Sequence, residues 1–234
     1  MISAILRFQR PLARLARRRM KLLKSQKLPI LLQQSLQTAL PNEDGLLEAQ
    51  KILSIDIETT GLNPEKDRIL SIGMVTIAGN RILLKSAQHY YVKDVEPVKA
   101  ETAVINHITP EQLSEGISLS HAIALFLHEA KDKCILAHGS AIEQEFLPKA
   151  MNIKELPFIW FDTLRIEKTL LSHKNINRND FSLSALRNRY QLPDYDAHNA
   201  LSDAIAAAEL FLAQSKVIYP SQPPVIKQLY KRSL

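Results

Sequence analysis

The sequence has a single cysteine among its 234 residues, so an internal disulfide is excluded. Cys134 lies in the apolar run 134–137, where we expect a small buried core residue in a reducing compartment. No apolar run approaches the roughly 20 residues that a membrane-spanning helix needs, and the N-terminus lacks the uninterrupted apolar core of a secretory signal. These absences predict a soluble, cytoplasmic protein without a transmembrane segment.

Acidic residues are missing from the first 42 positions, which nevertheless hold nine lysines and arginines. The net charge of +6 therefore consists of +9 in this arm and −3 in the remaining residues. Leucines alternate with the basic residues, and Pro11 suits the first position of a helix, so the pattern favours a basic amphipathic helix. The basic side chains are Arg7, Arg10, Arg14, Arg17, Arg18, Arg19, Lys21, Lys24 and Lys27.

This arm has several functional interpretations. It could contact phosphates, an anionic membrane surface or an acidic protein partner, or it could pack as a helix without touching nucleic acid. An arginine-rich N-terminus without acids also resembles a mitochondrial transit peptide, so a mitochondrial location is the alternative to a cytoplasmic one.

Prolines and a polar segment mark the predicted domain boundaries. Pro29 and Pro41 bracket an apolar segment that could pack on the main domain, and residues 42–45 are typical of a linker. We therefore expect a basic, helical N-terminal arm and linker at 1–45, the main domain at 46–215, and a loosely attached C-terminal tail at 216–234.

The order of the periodic patterns predicts an α/β fold. Three extended runs at 52–57, 69–78 and 81–92 indicate an antiparallel meander, with a hairpin turn at Gly79-Asn80. Short apolar runs at 134–137 and 158–161 then alternate with helical patterns. A meander followed by this alternation predicts a mixed β-sheet flanked by helices.

Two acids separated by one residue, Asp56 and Glu58, end the first apolar run. Side chains two apart on a strand project from the same face, so the two carboxylates are expected to lie side by side. Adjacent buried carboxylates repel each other unless a cation lies between them, and oxygen ligands of this kind suit Mg²⁺ or Mn²⁺. Taken alone, the pair is equally compatible with an exposed strand end whose acids face water.

A second polar pair, His198 and Asp203, precedes the alanine-rich run 204–208. Asp203 belongs on the helix that this run predicts. A helical His198 would be rotated about 140° away from Asp203, so the histidine must lie on the preceding loop if the two are to meet. There it could accept a proton from an attacking water. Taken alone, the pair is also typical of a surface histidine and a helix-face aspartate.

The two pairs in this order resemble the DEDDh (DnaQ-like) family of 3′–5′ exonucleases, which includes the proofreading epsilon subunit of bacterial DNA polymerase III. The resemblance covers residues 50–214 and extends to Asp56-x-Glu58-Thr-Thr-Gly and His198-x₄-Asp203. The middle motif departs from the family pattern, because Glu143 stands where an aspartate is usual. Glutamate keeps the charge and adds one methylene, so it could still support a metal ion after a small shift.

The resemblance implies a ribonuclease-H-like sheet and a site for two Mg²⁺ or Mn²⁺ ions. Asp56 would bridge both ions, Glu58 and Asp203 would complete the first site, and Glu143 would support the second. His198 would be the general base. The turn formed by Thr59, Thr60 and Gly61 would contact the terminal nucleotide.

By the same resemblance, the protein would release nucleoside 5′-monophosphates from the 3′ ends of single-stranded nucleic acid, with DNA favoured as in proofreading or repair. Two alternatives remain open at this stage. One is an exoribonuclease acting on short RNA, and the other is a catalytically weakened nucleic-acid-binding or scaffold module. The arm at 1–45 could recruit a protein partner in any of these cases.

Overall fold

The computed structural model describes residues 10–25, 27–93, 108–173 and 178–234. Its strands are β1 Ile52–Thr59, β2 Ile69–Ala78, β3 Arg81–Tyr91, β4 Cys134–Ala137 and β5 Trp160–Asp162. Its α-helices are α1 Pro11–Ser25, α2 Ile30–Gln37, α3 Pro110–Ser114, α4 Leu119–Ala130, α5 Ala141–Ala150, α6 Thr163–His173, α7 Leu183–Arg189, α8 Ala200–Ile218 and α9 Ile226–Arg232. A short 3₁₀ helix, Leu47–Ala49, precedes β1. Arg7 of the basic arm lies outside the described residues.

The five strands form one mixed sheet in the order β3-β2-β1-β4-β5. β1 is antiparallel to β2, and β2 is antiparallel to β3, whereas β4 runs parallel to both β1 and β5. Gly79 and Asn80 have positive φ angles of 56° and 58°, which suit the tight turn between β2 and β3. The predicted mixed sheet, an antiparallel meander followed by parallel strands, is confirmed.

Helices cover both faces of the sheet. Successive residues of a strand point to opposite faces, so Leu53 and Ile55 enter the core that α2, α4 and α5 share. Ile52 enters the other core, which α8 covers. The same alternation places Asp56 and Glu58 on the α8 face of β1.

The basic arm packs on the domain. Leu12 and Leu15 of α1 are buried in the α8-side core, and Leu22 is buried in the opposite one. Arg10 forms an ion pair with Glu43, and Arg18 forms one with Glu155. No helix in the described part of the chain is both long enough and apolar enough to span a membrane.

The last residues are firmly packed, so the expectation of a loosely attached tail is wrong. Leu229 of α9 is fully buried and Tyr230 nearly so, both within the core that contains Leu12 and Leu15. The N–H of Leu47 donates to the carbonyl of Pro224, which fixes the approach to α9. The short apolar periodicity of α9 gave no sign of this docking, because its partners are distant in the sequence: the N–H of Asp162 donates to Oγ of Ser233, 71 residues later.

Candidate active site

The two acids of β1 lie side by side where the strand begins to leave the sheet. Asp56 is opposite Gly73 of β2, and Glu58 is opposite Ser71. Just after Glu58 the pairing shifts by one residue, a bulge of the kind that re-aims side chains near functional sites. Both residues are half-buried, so they border the surface from which an ion or a substrate would approach.

Asp203 reaches these acids because α8 begins directly above them. The side chain of Asn199 caps the helix by accepting from the N–H of Ser202 at 3.1 Å. The N–H of Asn199 donates to Oδ2 of Asp203 at 3.0 Å, which fixes this first-turn carboxylate. The helix thereby supplies the third acid of the site.

Small residues allow α8 to lie this close to the sheet. A Cβ on Gly73 would stand only 2.1 Å from the backbone carbon of Ala200, so no larger residue fits there without displacing the helix. The hydroxyl of Ser54 donates to the carbonyl of Ala204 at 2.7 Å across the same contact. We did not predict these positioning residues, although a glycine inside an apolar strand often marks a close backbone approach.

Asp56, Glu58 and Asp203 form one compact group, with carboxylate oxygens within 4.8 Å of one another. Burial raises the pKa of Glu58 to about 7, and the charge of Asp203 adds to the effect. The pKa of Asp56 is raised well above its usual value by burial and by the charges of Glu143, Asp203 and Glu58. Oxygen ligands at this spacing, which repel each other when ionised, fit a divalent cation.

Glu143 lies next to this group but is not one of the acids whose oxygens lie within 4.8 Å of one another. It lies in the first turn of α5 and is only 3% exposed. Burial raises its pKa to about 8, and one of its oxygens, Oε2, has no hydrogen-bond partner in the described part of the chain. A buried carboxylate oxygen without a partner is costly, so this group also fits a cation. The geometry therefore brings three of the four predicted acids into direct proximity and leaves the fourth adjacent to Asp56.

His198 lies on the loop before α8, as predicted. It has a positive φ of 64°, is exposed, and directly precedes the capping residue Asn199. It borders a cleft of about 310 Å³ that also reaches Glu58. The other polar side chains that line this cleft are Ser71, His89, Tyr91, Gln112, Asn199 and the acid Asp196.

Two buried atoms of the cleft wall have no hydrogen-bond partner among the described residues: Oγ of Ser71 and Nε2 of His89. Burial lowers the pKa of His89, so its imidazole is neutral near pH 7. The hydroxyl of Tyr91 accepts from Gln112 at 3.0 Å. The cleft thus offers uncharged donors and acceptors next to the acids, and these residues were not predicted from the sequence.

The turn after β1 is held by its own side chains. The hydroxyl of Thr60 donates to Oδ1 of Asp67 at 3.0 Å, and that of Thr59 donates to the carbonyl of Gly61 at 2.6 Å. A Cβ on Gly61 would lie 2.6 Å from Oδ2 of Asp67, which explains the glycine. The turn is therefore preorganised beside Glu58, and its predicted contact with a nucleotide stays a prediction.

Tyr195 supports Asp203 from the other side. Its hydroxyl forms a hydrogen bond with Asp203. This bond lowers the pKa of Asp203 and so opposes the increase that burial causes. The buried guanidinium of Arg187 lies 5.0 Å from the Tyr195 ring and donates to the carbonyls of Ala206 and Pro193. Sequence patterns did not identify this support, because its members come from α7, a loop and α8.

A family model described as exonuclease, RNase_T, matches residues 53–211. The PolC-type DNA polymerase III of Thermotoga maritima is 31% identical over 176 residues, which cover 73% of this chain and 12% of the relative. The DNA polymerase III subunit epsilon of Treponema pallidum is 27% identical over 187 residues, which cover 75% of this chain and 85% of that subunit. This chain therefore spans only a small part of its PolC-type relatives.

The fold is also similar to that of solved exonucleases. The structure of exonuclease X in complex with 5′ overhanging duplex DNA matches with a TM-score of 0.59 and 20% identity, over 79% of this chain and 99% of that one. The ribonuclease-H-like fold that the motifs implied is thus confirmed. With the family model covering most of the chain and including all three clustered acids, this protein belongs to the exonuclease family, as its resemblance to DnaQ-like enzymes predicted.

Proposed function

We propose that this protein is a divalent-metal-dependent exonuclease that removes nucleoside 5′-monophosphates from the 3′ ends of DNA. The observation that carries the proposal is the group of Asp56, Glu58 and Asp203, whose oxygens lie within 4.8 Å of one another in an exonuclease fold. A scaffold would gain nothing from three mutually repelling carboxylates, because their charges oppose folding unless a cation binds them.

The acids would hold the metal ions in two groups. Asp56, Glu58 and Asp203 would hold the first ion, and Glu143, whose Oε2 has no hydrogen-bond partner among the described residues, would help to hold a second. When bound, Mg²⁺ or Mn²⁺ would activate the attacking water and stabilise the leaving 3′ oxygen.

His198 would act as the general base. Its ring is exposed on the loop before α8, at the border of the cleft that Glu58 also reaches. From there the imidazole could take the proton of the attacking water and pass it to solvent. The position of His198 next to the helix cap Asn199 ties its loop to the same helix that holds Asp203.

The terminal nucleoside would occupy the cleft beside the acids. Ser71, His89 and Tyr91 offer uncharged polar atoms, which suit a sugar or a base and not a phosphate. The turn of Thr59, Thr60 and Gly61 would contact the same nucleotide through its backbone. DNA is favoured over RNA because the relatives include subunits and domains named for DNA polymerase III.

The direct test is digestion of a 5′-labelled single-stranded DNA, and of RNA with the same sequence, in the presence of Mg²⁺ or Mn²⁺. We expect a ladder that shortens from the 3′ end of DNA, is abolished by EDTA, and is absent with Asp56→Ala. Glu65→Ala is the matched control, because it removes a carboxylate that is 69% exposed and outside the acid cluster.

Each other outcome is informative. Faster digestion of RNA than of DNA would replace the proposed substrate with RNA. Equal ladders from the wild type and Asp56→Ala would show that the acid cluster is not the active site. Absence of cleavage of either substrate by folded protein would favour the nucleic-acid-binding module.

A further inference from the structure

The helix α1 lies at the end of the sheet that is remote from the acids. Its Leu12 and Leu15 pack in the core that contains Ile52 and Cys134, the first residues of β1 and β4. Asp56 and Glu58 lie four and six residues further along β1. At about 3.3 Å per residue, Glu58 is roughly 20 Å along the strand from the residues that α1 covers.

One face of α1 anchors the helix to the domain. Leu12, Leu15, Arg19 and Leu22 are all buried. Nε of Arg19 donates to the carbonyl of Pro157 at 2.9 Å, and its Nη1 donates to the carbonyl of Thr38 at 3.1 Å. These contacts fix which side of the helix faces solvent.

The opposite face carries a stripe of three exposed cations, Arg14, Lys21 and Lys24. Arg14 and Lys21 are two helical turns apart, and Lys24 lies almost one turn further, so the stripe is about 15 Å long. None of the three forms an ion pair among the described residues. The stripe contains no acid, and the chain beyond residue 42 has a net charge of −3.

A membrane surface fits this stripe poorly. An interfacial amphipathic helix inserts its apolar face into the bilayer. In α1 the apolar face already packs on the domain, because Leu12, Leu15 and Leu22 are only 7%, 2% and 6% exposed. Only electrostatic attraction would remain.

A protein partner fits less well than a nucleic acid. The centres of protein interfaces are enriched in aromatic residues and depleted of lysine. The solvent face of α1 has no aromatic residue, and Met20 is its one large apolar side chain that is more than half exposed in the described part of the helix. A row of cations without an apolar centre is typical of contact with phosphates.

We propose that Arg14, Lys21 and Lys24 form a second contact for the substrate, which binds its phosphate backbone away from the reacting end. This inference rests on the proposed function, because it takes the strand in the active site to continue toward α1. The stripe lies on the solvent side of α1, beyond the strand residues that the helix covers, so the roughly 20 Å of β1 corresponds to a minimum of about six nucleotides at 3.4 Å per nucleotide along a helical strand. The stripe therefore acts on long substrates and leaves very short ones unaffected.

The test compares two triple variants in an inactive Asp56→Ala background. The first is Arg14→Gln/Lys21→Gln/Lys24→Gln, which keeps good helix formers and leaves the buried face intact. The control is Lys85→Gln/Lys131→Gln/Lys216→Gln, which removes the same charge from three exposed positions on other elements. Fluorescence anisotropy in EDTA gives the Kd of each triple variant for labelled DNA of 5 nucleotides and of 30 nucleotides. The measurements are repeated across a range of NaCl concentrations.

For the stripe variant we expect the Kd of the 30-nucleotide DNA to rise at least tenfold at low salt. The slope of log Kd against log salt should fall by about 2, since each lost phosphate contact removes about 0.7–0.9. The 5-nucleotide DNA and the control variant should show no such change. Equal effects of both triple variants, or unchanged binding of long DNA, would overturn the proposal.

The same substitutions in the active background separate this inference from the proposed function. A loss of kcat/KM limited to long DNA supports both. If the wild type cleaves nothing but the stripe variant still loses affinity for long DNA, the proposed function fails, and the stripe is a contact for DNA but not a second contact for a substrate. Circular dichroism of both triple variants verifies that they are folded.

Discussion

At the scale of single residues, the proposed site is a set of acids whose mutual repulsion destabilises the folded state until a cation binds them. Desolvation and mutual repulsion raise the pKa of Asp56 well above normal, that of Glu58 to about 7 and that of Glu143 to about 8. Such shifts favour the protonated forms in the folded state. The metal-free protein therefore holds extra protons near neutral pH, and a divalent cation would displace them.

These raised values predict how the stability of the metal-free protein depends on pH. Between about pH 4.5 and pH 8 these acids bind more protons in the folded state than in the unfolded state, so their contribution to the free energy of unfolding falls as the pH rises. Asp56→Asn removes one of the repelling charges. In EDTA at pH 8 we expect this variant to be more stable than the wild type, by on the order of 1–3 kcal/mol, and the difference to vanish near pH 4.5.

Urea denaturation at both pH values measures this difference. Addition of Mn²⁺ at pH 8 should stabilise the wild type and have little effect on Asp56→Asn. A wild type that is the more stable protein in EDTA at pH 8 would show that the acids do not repel each other as described.

Glu143 gives a second prediction at this scale. Glu143→Gln removes the charge but keeps the length of the side chain, so we expect kcat to fall about 100-fold while the fold persists. Glu145→Gln is the matched control, because Glu145 is exposed on the same helix. Rates on a 5′-labelled oligonucleotide decide the question, and equal rates for the two variants would remove Glu143 from the site.

At the scale of elements, the site depends on how closely α8 approaches β1 and β2. Asp203 meets the strand acids only because Gly73, Ser54 and Ala204 let the helix backbone lie almost against the sheet. Local patterns predicted the strands and α8 well, since alternating and helical periodicities can be recognised from residues that are close together in the sequence. The close approach itself was not predictable, because it joins residues about 130–150 positions apart.

Gly73→Ala tests this close approach. The new Cβ would lie 2.1 Å from Ala200, so α8 must move away and carry Asp203 with it. We expect kcat/KM to fall at least 100-fold, with a loss of stability of about 1–3 kcal/mol.

Gly79→Ala separates the loss of activity from the loss of stability. Gly79 has a positive φ of 56° and no atom within 4 Å of an added Cβ, so this variant should lose about 1–2 kcal/mol through backbone strain alone. Its activity at low temperature should stay within about twofold of the wild type. Equal activities of Gly73→Ala and Gly79→Ala would show that the spacing between helix and sheet does not matter.

At the scale of the whole molecule, the helices nearest the two ends of the described part of the chain, α1 and α9, belong to the folded core. Leu12 and Leu15 of α1 and Leu229 of α9 share one buried cluster, and Lys227 of α9 forms an ion pair with Asp44. The sequence predicts a helix in the basic arm but not where it packs, and it predicts a loose tail where α9 is docked. Deletion of residues 1–45 would therefore uncover core residues as well as remove basic charge.

Leu229→Ala tests the docking of α9. Leu229 is completely buried, so we expect the free energy of unfolding to fall by about 2–5 kcal/mol. Leu234→Ala, at a position that is 64% exposed, should change it by less than about 0.5 kcal/mol. Similar urea midpoints for the two variants would show that α9 is not part of the cooperative core.

The central claim is that Asp56, Glu58 and Asp203 form a divalent-metal site, and direct measurement of Mn²⁺ binding by electron paramagnetic resonance tests it best. The wild type should bind Mn²⁺ at pH 8, Asp203→Asn should bind it at least tenfold more weakly, and Glu65→Gln should match the wild type. Equal binding by the wild type and Asp203→Asn, or no binding by folded wild type, would contradict the account.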